Sequence, residues 1–204
     1  MKFSRKAMIS IAVIVVLMAS GLLVFTQFLG QPKEIVVLET SMGTIEIQLD
    51  RQHAPITVNN FVTYVKAGFY NGTVFHRVMP GFIVQAGGFT VNNTEKTTNA
   101  PIKLESNNGL SNLAGTIAMA RSTQADSATS EFYINLVDNT NLDYSSQNQG
   151  YAVFGKVISG LDVVSQIGKV QTSTRNVTIS GYGIYPFTDW PVQDIVITKA
   201  YMKP

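Results

Sequence analysis

The segment from Phe75 to Gly88 reads Phe-His-Arg-Val-Met-Pro-Gly-Phe-Ile-Val-Gln-Ala-Gly-Gly and sets one arginine and one glutamine into otherwise apolar, strand-forming sequence. Successive side chains of a strand point to opposite faces. Phe75 and Arg77 are therefore expected to share one face and, past the Pro80-Gly81 turn, Ile83 and Gln85 another. No nucleophile stands beside them. A planar guanidinium and an amide next to apolar walls suit a binding face that orients a ligand through hydrogen bonds, not covalent chemistry.

Other chemistries find little support along the chain. His53 and His76 are its two histidines, too few for a three-histidine zinc site or for a histidine-aspartate relay with a spare. A Gly-x-Ser-x-Gly elbow is missing, as is a phosphate-cradling Gly-x-x-x-x-Gly-Lys-Ser/Thr loop, since the one matching run, Gly150 to Lys156, is followed by Val157; the carboxylates are scattered rather than paired. The absence of cysteine excludes disulfides, thiolate metal sites and a cysteine nucleophile. No metal and no organic cofactor is expected.

The elements that must hold Arg77 and Gln85 come next. Ile35 to Glu39 and Thr44 to Leu49 read as strands around the Ser41-Met-Gly43 turn, with Ile45, Ile47 and Leu49 alternating with Glu46 and Gln48. Pro55 opens a helix whose Val58, Phe61, Val62 and Val65 fall at i, i+3, i+4 and i+7, and Gly68 ends it. Short strand-like runs follow at Thr73–Val78, Phe82–Ala86, Ala114–Ala120, Glu131–Val137 and Tyr151–Val157. Leu161 to Ile167 reads as a second helix and Val192 to Tyr201 as a last strand. Gln171 to Trp190, rich in Gly, Thr and aromatics, reads as a long loop packed on its own aromatics. From spacing alone, a closed barrel and a sandwich both remain open.

At the amino terminus, Ala7 to Phe25 runs 19 residues without a charge, behind Lys2, Arg5 and Lys6. As a helix it would extend about 28 Å, enough to cross a bilayer. A cleaved secretory signal has a shorter apolar run and a well-placed small-x-small site, which this segment lacks. Residues 1–26 are therefore expected to be an uncleaved signal anchor with its basic end in the cytoplasm, 27–33 a tether, and 34–204 one domain outside it. Secretion after signal cleavage is the alternative. Four of the 15 bases precede the domain, which leaves 11 against 13 acids. A mildly acidic domain without a basic stripe argues against a nucleic-acid partner.

The Phe75–Gly88 segment, together with Gly115-Thr-Ile-Ala-Met-Ala-Arg121, Ser127-Ala-Thr-Ser-Glu-Phe-Tyr-Ile-Asn135 and Tyr151-Ala-Val-Phe-Gly-Lys-Val157, resembles the cyclophilin-type peptidyl-prolyl cis-trans isomerases, bacterial members above all. The resemblance spans roughly Ile35 to Tyr201. It implies a mainly β fold, a closed eight-stranded antiparallel barrel capped by two α-helices, here preceded by the transmembrane segment. It also implies isomerisation of Xaa-Pro bonds in proline-containing polypeptides, among them exported proteins, without a cofactor. On the family pattern Arg77 is the catalytic donor. Phe82, Ile83, Tyr133 and Leu142 form the proline pocket, Gln85 bonds substrate backbone and steadies Arg77, and Ala120 and Arg121 accept the peptide along the adjoining strand. The family alternative is a catalytically weak chaperone or peptide-binding module.

Four positions depart from the commoner pattern. Ala86 replaces a glycine, which is tolerable only if the residue avoids φ > 0. Glu131 stands where glutamine is usual in the site; if its carboxylate pairs with Arg77 it would weaken donation to substrate, and Glu131→Gln would leave activity unchanged or raise it. Asn141 occupies an aromatic position, so weak binding of cyclosporin-like macrocycles is expected. Tyr151 stands in place of a histidine but fits the bacterial variant, where its hydroxyl still donates.

Overall fold

Alternating apolar and polar residues build the first hairpin of the computed structural model, which describes residues 33–179, 181 and 183–204. In β1 (Ile35–Thr40) and β2 (Gly43–Leu49), Val36, Leu38, Ile45 and Ile47 enter the core, while Glu46 and Gln48 keep to the partly exposed side. Six further strands continue the sheet: β3 (Thr73–Met79), β4 (Ile83–Thr90), β5 (Thr116–Met119), β6 (Phe132–Asn135), β7 (Val153–Ser159) and β10 (Val196–Met202). Together these eight close into an antiparallel barrel in the order β1-β10-β3-β4-β6-β5-β7-β2. Closure pairs both edges of every barrel strand.

Two helices complete the barrel's core. In α1 (Pro55–Lys66), Pro55 sits at the start, where its fixed φ suits a helix and its missing N–H is not needed. No side chain of its own flank caps it. Instead the Glu105 carboxylate accepts the backbone N–H of Ile56 at 3.1 Å and of Thr57 at 2.7 Å, so a distant loop supplies the negative charge a helix start favours. The expected stripe Val58, Phe61, Val62 and Val65 is buried. The Phe61 ring lies 5.2 Å from Tyr70, 5.4 Å from Phe132 and 5.1 Å from Phe154, joining helix to barrel by tilted and edge-on contacts. From α2 (Leu161–Ile167), Val164 and Ile167 join the same core.

The long loop expected from Gln171 to Trp190 is instead a two-stranded antiparallel ribbon, β8 (Thr172–Ile179) and β9 (Gly183–Pro191). Its Thr, Val, Ile, Tyr and Phe residues favour strands, and they outweigh the Pro and Gly that read as loop. The ribbon packs on the outside of β3 through Val74, Phe89, Val177 and Trp190, with Ile179, Phe187 and Val196 against them. The last barrel strand begins at Val196, not Val192: the Val192 N–H is taken by the Gln171 carbonyl at 2.9 Å beside the ribbon, and Asp194 accepts the Trp190 indole N–H at 3.1 Å and a short contact from Arg175. The expected anchor and all but the last residue of the tether lie outside the described residues. Among the described residues no helix is long and apolar enough to cross a membrane.

Candidate active site on the outer face of the barrel

Cross-strand pairing sets one straight row of residues over five strands. Arg77 pairs with Gln85, Gln85 with Tyr133, Tyr133 with Ala118, and Ala118 with Val153. Ile83 lies two residues from Gln85 on the same face of β4, as alternation predicts, while Val84 between them points into the core.

Strand β3 does not keep the expected alternation. Phe75 pairs with Ala86 but Arg77 pairs with Gln85, so two steps along β3 match one along β4. The extra residue is a β-bulge, and it reverses the face of the residues beyond it. Phe75 and Val78 enter the core, whereas His76 turns under the β8–β9 ribbon and Arg77 joins the outer row. The expectation that Phe75 and Arg77 share a face is thereby corrected. Beside the bulge, Ala86 is buried and avoids positive φ, which among the described residues other than glycine only Asn93 adopts. Gly87 needs its lack of a side chain, having φ +96° and room for no Cβ, which would lie 2.8 Å from the Ser130 carbonyl oxygen.

A chain of polar side chains runs through this corner. Arg77 donates through Nη1 to Gln85 Oε1 at 3.4 Å, a long bond, and Gln85 Nε2 donates to Glu131 Oε2 at 2.6 Å. Glu131 Oε2 also lies 3.3 Å from His76 Nε2, within ion-pair reach but off line for a hydrogen bond. Burial raises the pKa of the Glu131 carboxyl, but the opposing pull of His76, the Gln85 N–H and Arg77 outweighs it, leaving it below its ordinary value. Glu131 thus meets Gln85 and His76, and no ion pair joins it to Arg77. The direct pairing considered from the sequence does not form, and with it goes the reason for Glu131→Gln to raise activity.

The carboxylate that does approach Arg77 is Asp189 of β9, 3.7 Å from Nε, with both side chains about a third exposed. At that exposure the pair contributes roughly 0–1 kcal/mol and is screened by salt. We expect Asp189→Asn to lower kcat/KM by about two- to fivefold at low ionic strength, less at 1 M salt, in a proline-peptide assay. Sequence reasoning misses Asp189 because it lies in the segment that reads as loop.

Beside the row lies an apolar cluster on the outer face. Ile83, Tyr133, Ala118 and Val153 are buried together, bordered by Phe82, Leu110, Ala120, Leu142 and Tyr151. The expected pocket residues Phe82, Ile83, Tyr133 and Leu142 thus gather in one cluster, joined by Tyr151, whose ring meets Tyr133 edge-on at 5.8 Å. Underneath is a buried polar network. The Tyr133 hydroxyl donates to Asn112 Oδ1 at 2.7 Å, and burial raises the pKa of that hydroxyl, keeping it protonated. Asn139 donates to the Phe82 carbonyl at 3.0 Å and to Asn135 Oδ1 at 2.8 Å, fixing the chain that carries Phe82. Asn112 and Asn139 carry no signal in the sequence, since a lone asparagine in polar sequence resembles any loop residue.

Ala120 and Arg121 follow the end of β5. The Ala120 N–H already donates to the Glu131 carbonyl at 2.9 Å. Arg121 donates to the Gly150 carbonyl at 2.9 Å and lies 4.7 Å over the Tyr151 ring, so its guanidinium braces the Tyr151 side of the cluster. Asn141, on the turn with Leu142, is exposed.

A closed eight-stranded barrel with two helices, carrying an arginine beside an apolar cluster on its outer face, defines the class. The family described as cyclophilin type peptidyl-prolyl cis-trans isomerase/CLD matches residues 35–202. Peptidyl-prolyl cis-trans isomerase A of Dickeya dadantii is 52% identical over 165 residues, 81% of this chain and 82% of that protein. A peptidyl-prolyl cis-trans isomerase of Acinetobacter baylyi is 52% identical over 189 residues, covering 93% and 95%. Among solved structures, a Cryptosporidium parvum cyclophilin type peptidyl-prolyl cis-trans isomerase, crystallised in the presence of the dipeptide Ala-Pro, superimposes with a TM-score of 0.66. It shares 20% identity, over 83% of this chain and 99% of its own, a likeness of fold. The chain belongs to the cyclophilin-type peptidyl-prolyl cis-trans isomerase family.

Proposed function

We propose that this chain catalyses cis-trans isomerisation of Xaa-Pro bonds, with Arg77 as the donor and the cluster of Phe82, Ile83, Tyr133 and Leu142 as the proline site. One observation carries the reading: the cross-strand pair Arg77 and Gln85 stands in the same row as Tyr133, a member of that apolar cluster. The barrier to rotation, about 18–20 kcal/mol, comes from delocalisation of the nitrogen lone pair into the carbonyl. Twisting the amide localises that pair on a pyramidal nitrogen. A guanidinium N–H aimed at this nitrogen stabilises the twisted state more than either planar isomer, while the apolar cluster holds the ring and the chain on one side turns. No bond is broken, so neither nucleophile nor cofactor is needed.

Exported proteins are the proposed substrates, with the domain held outside the cytoplasm by an anchor at Ala7–Phe25. The charge-free run of 19 residues behind Lys2, Arg5 and Lys6 supports this. Mass spectrometry of the mature amino terminus tests it: a chain beginning after residue 20 in the membrane-free fraction means secretion after cleavage. The activity itself is read by a protease-coupled or NMR exchange assay on a proline peptide.

A catalytically weak binding module is the second reading, favoured by the exposed Asn141 at a position where an aromatic would extend the cluster. For the same reason we expect weak binding of cyclosporin-like macrocycles, with a Kd of roughly micromolar or above by calorimetric titration. A nanomolar titration would contradict that.

A further inference from the structure

The geometry points to Glu131 as a positioning residue that fixes which way the Gln85 amide faces and, through it, where Arg77 sits. This deepens the isomerase reading and rests on it.

An amide has a donor end and an acceptor end, whereas an ionised carboxylate only accepts and a guanidinium only donates. Gln85 lies between one of each. With Nε2 on Glu131 at 2.6 Å and Oε1 toward Arg77 at 3.4 Å, both contacts attract. Rotated by half a turn, the amide would set oxygen against carboxylate oxygen and an NH2 against the guanidinium, and both contacts would repel. The carboxylate therefore selects one orientation. Glutamine at 131 would not, because its own amide can turn to donate or accept, and Gln85 could then present an NH2 that pushes Arg77 away.

Two neighbours keep the Glu131 carboxylate in place and charged. His76 is fully buried, and its two ring nitrogens are the only buried side-chain nitrogen or oxygen atoms without a hydrogen bond among the described residues; one of them, Nε2, faces Glu131 Oε2 at 3.3 Å. Gly88 supplies the space, since a Cβ built there would stand 2.8 Å from Glu131 Cδ. Its φ is not in the left-handed region, so alanine at 88 displaces the carboxylate without altering backbone preference.

The test compares the full-length protein with Glu131→Gln, Gly88→Ala, Gln85→Ala, Arg77→Ala and the double variant Glu131→Gln/Gln85→Ala. Isotope-labelled wild type should show one Gln85 side-chain amide proton shifted strongly downfield by the charge-assisted bond, and both Glu131→Gln and Gly88→Ala should lose that shift. In the isomerase assay each of these two should lower kcat/KM by about three- to tenfold, and Glu131→Gln should have no further effect once Gln85 is alanine. Equal activity of wild type, Glu131→Gln and Gly88→Ala, with Arg77→Ala impaired, overturns this inference and leaves the isomerase reading intact. An equal fall from Glu131→Gln in both backgrounds also overturns it, since Glu131 would then act without Gln85. Wild-type activity of Arg77→Ala overturns the isomerase reading and this inference with it.

Discussion

Arg77→Ala should lower kcat/KM for a proline peptide by about 10²- to 10³-fold while the fold stays intact, the loss expected on removing one preorganised donor from a transition state. The side chain is 36% exposed and takes no part in the barrel core, so its removal leaves no internal cavity. Its polar side-chain contacts among the described residues, the long bond to Gln85 and the partly exposed approach of Asp189, are weak enough to leave N–H groups for a substrate. Arg77→Lys should recover only a small part of the activity. An ammonium is a point charge and cannot address Gln85 and the amide nitrogen together as a planar fork does. The measurement is an exchange assay at matched protein folding, verified by unchanged thermal unfolding. Equal rates for wild type and Arg77→Ala would remove the enzyme reading and leave the family fold standing.

Trp190→Ala should destabilise the protein by about 3–5 kcal/mol, the cost of emptying a fully packed aromatic site. The indole is fully buried, contacts the rings of Phe89, Phe187 and His76, and has its N–H bonded to Asp194. It is the centre of the cluster that holds the β8–β9 ribbon on β3. Thermal unfolding gives the size of the loss. Hydrogen exchange locates it: amides of β8 and β9 should lose protection before those of the barrel, because their apolar cluster is separate from the main core. Since Asp189 reaches Arg77 from β9 and His76 rests on the indole, kcat/KM should fall as well. A variant that unfolds within about 1 kcal/mol of wild type would show that the ribbon is held by other contacts.

How far the residues can be read in advance differs from one element to the next. The stripe on α1 and the alternation of β2 are plain, because each is a local pattern whose period states which side is apolar. The Phe75–Gly88 and Ser127–Asn135 motifs lead to the family, and hence to barrel closure, which no count of short strands could decide. Residues 171–190 mislead because Gly and Pro in a ribbon look like loop until its partner strand and the cluster around Trp190 are known. Asp189 is hidden by the same misreading.

Residue types along the chain are sufficient to set an arginine and a glutamine in apolar, strand-forming sequence and to exclude thiol chemistry, since these are chemical facts that need no coordinates. The tertiary structure alone decides the face Arg77 occupies and the partner Glu131 takes. The bulge at His76 depends on how β3 registers against β4, and a slip of one residue reverses every side chain beyond it. Glu131 reaches Gln85 and His76 instead of Arg77 because β4 lies between β3 and β6 and Gly88 leaves room for a carboxylate. Such pairings join residues far apart in the chain, and a local period carries no record of them.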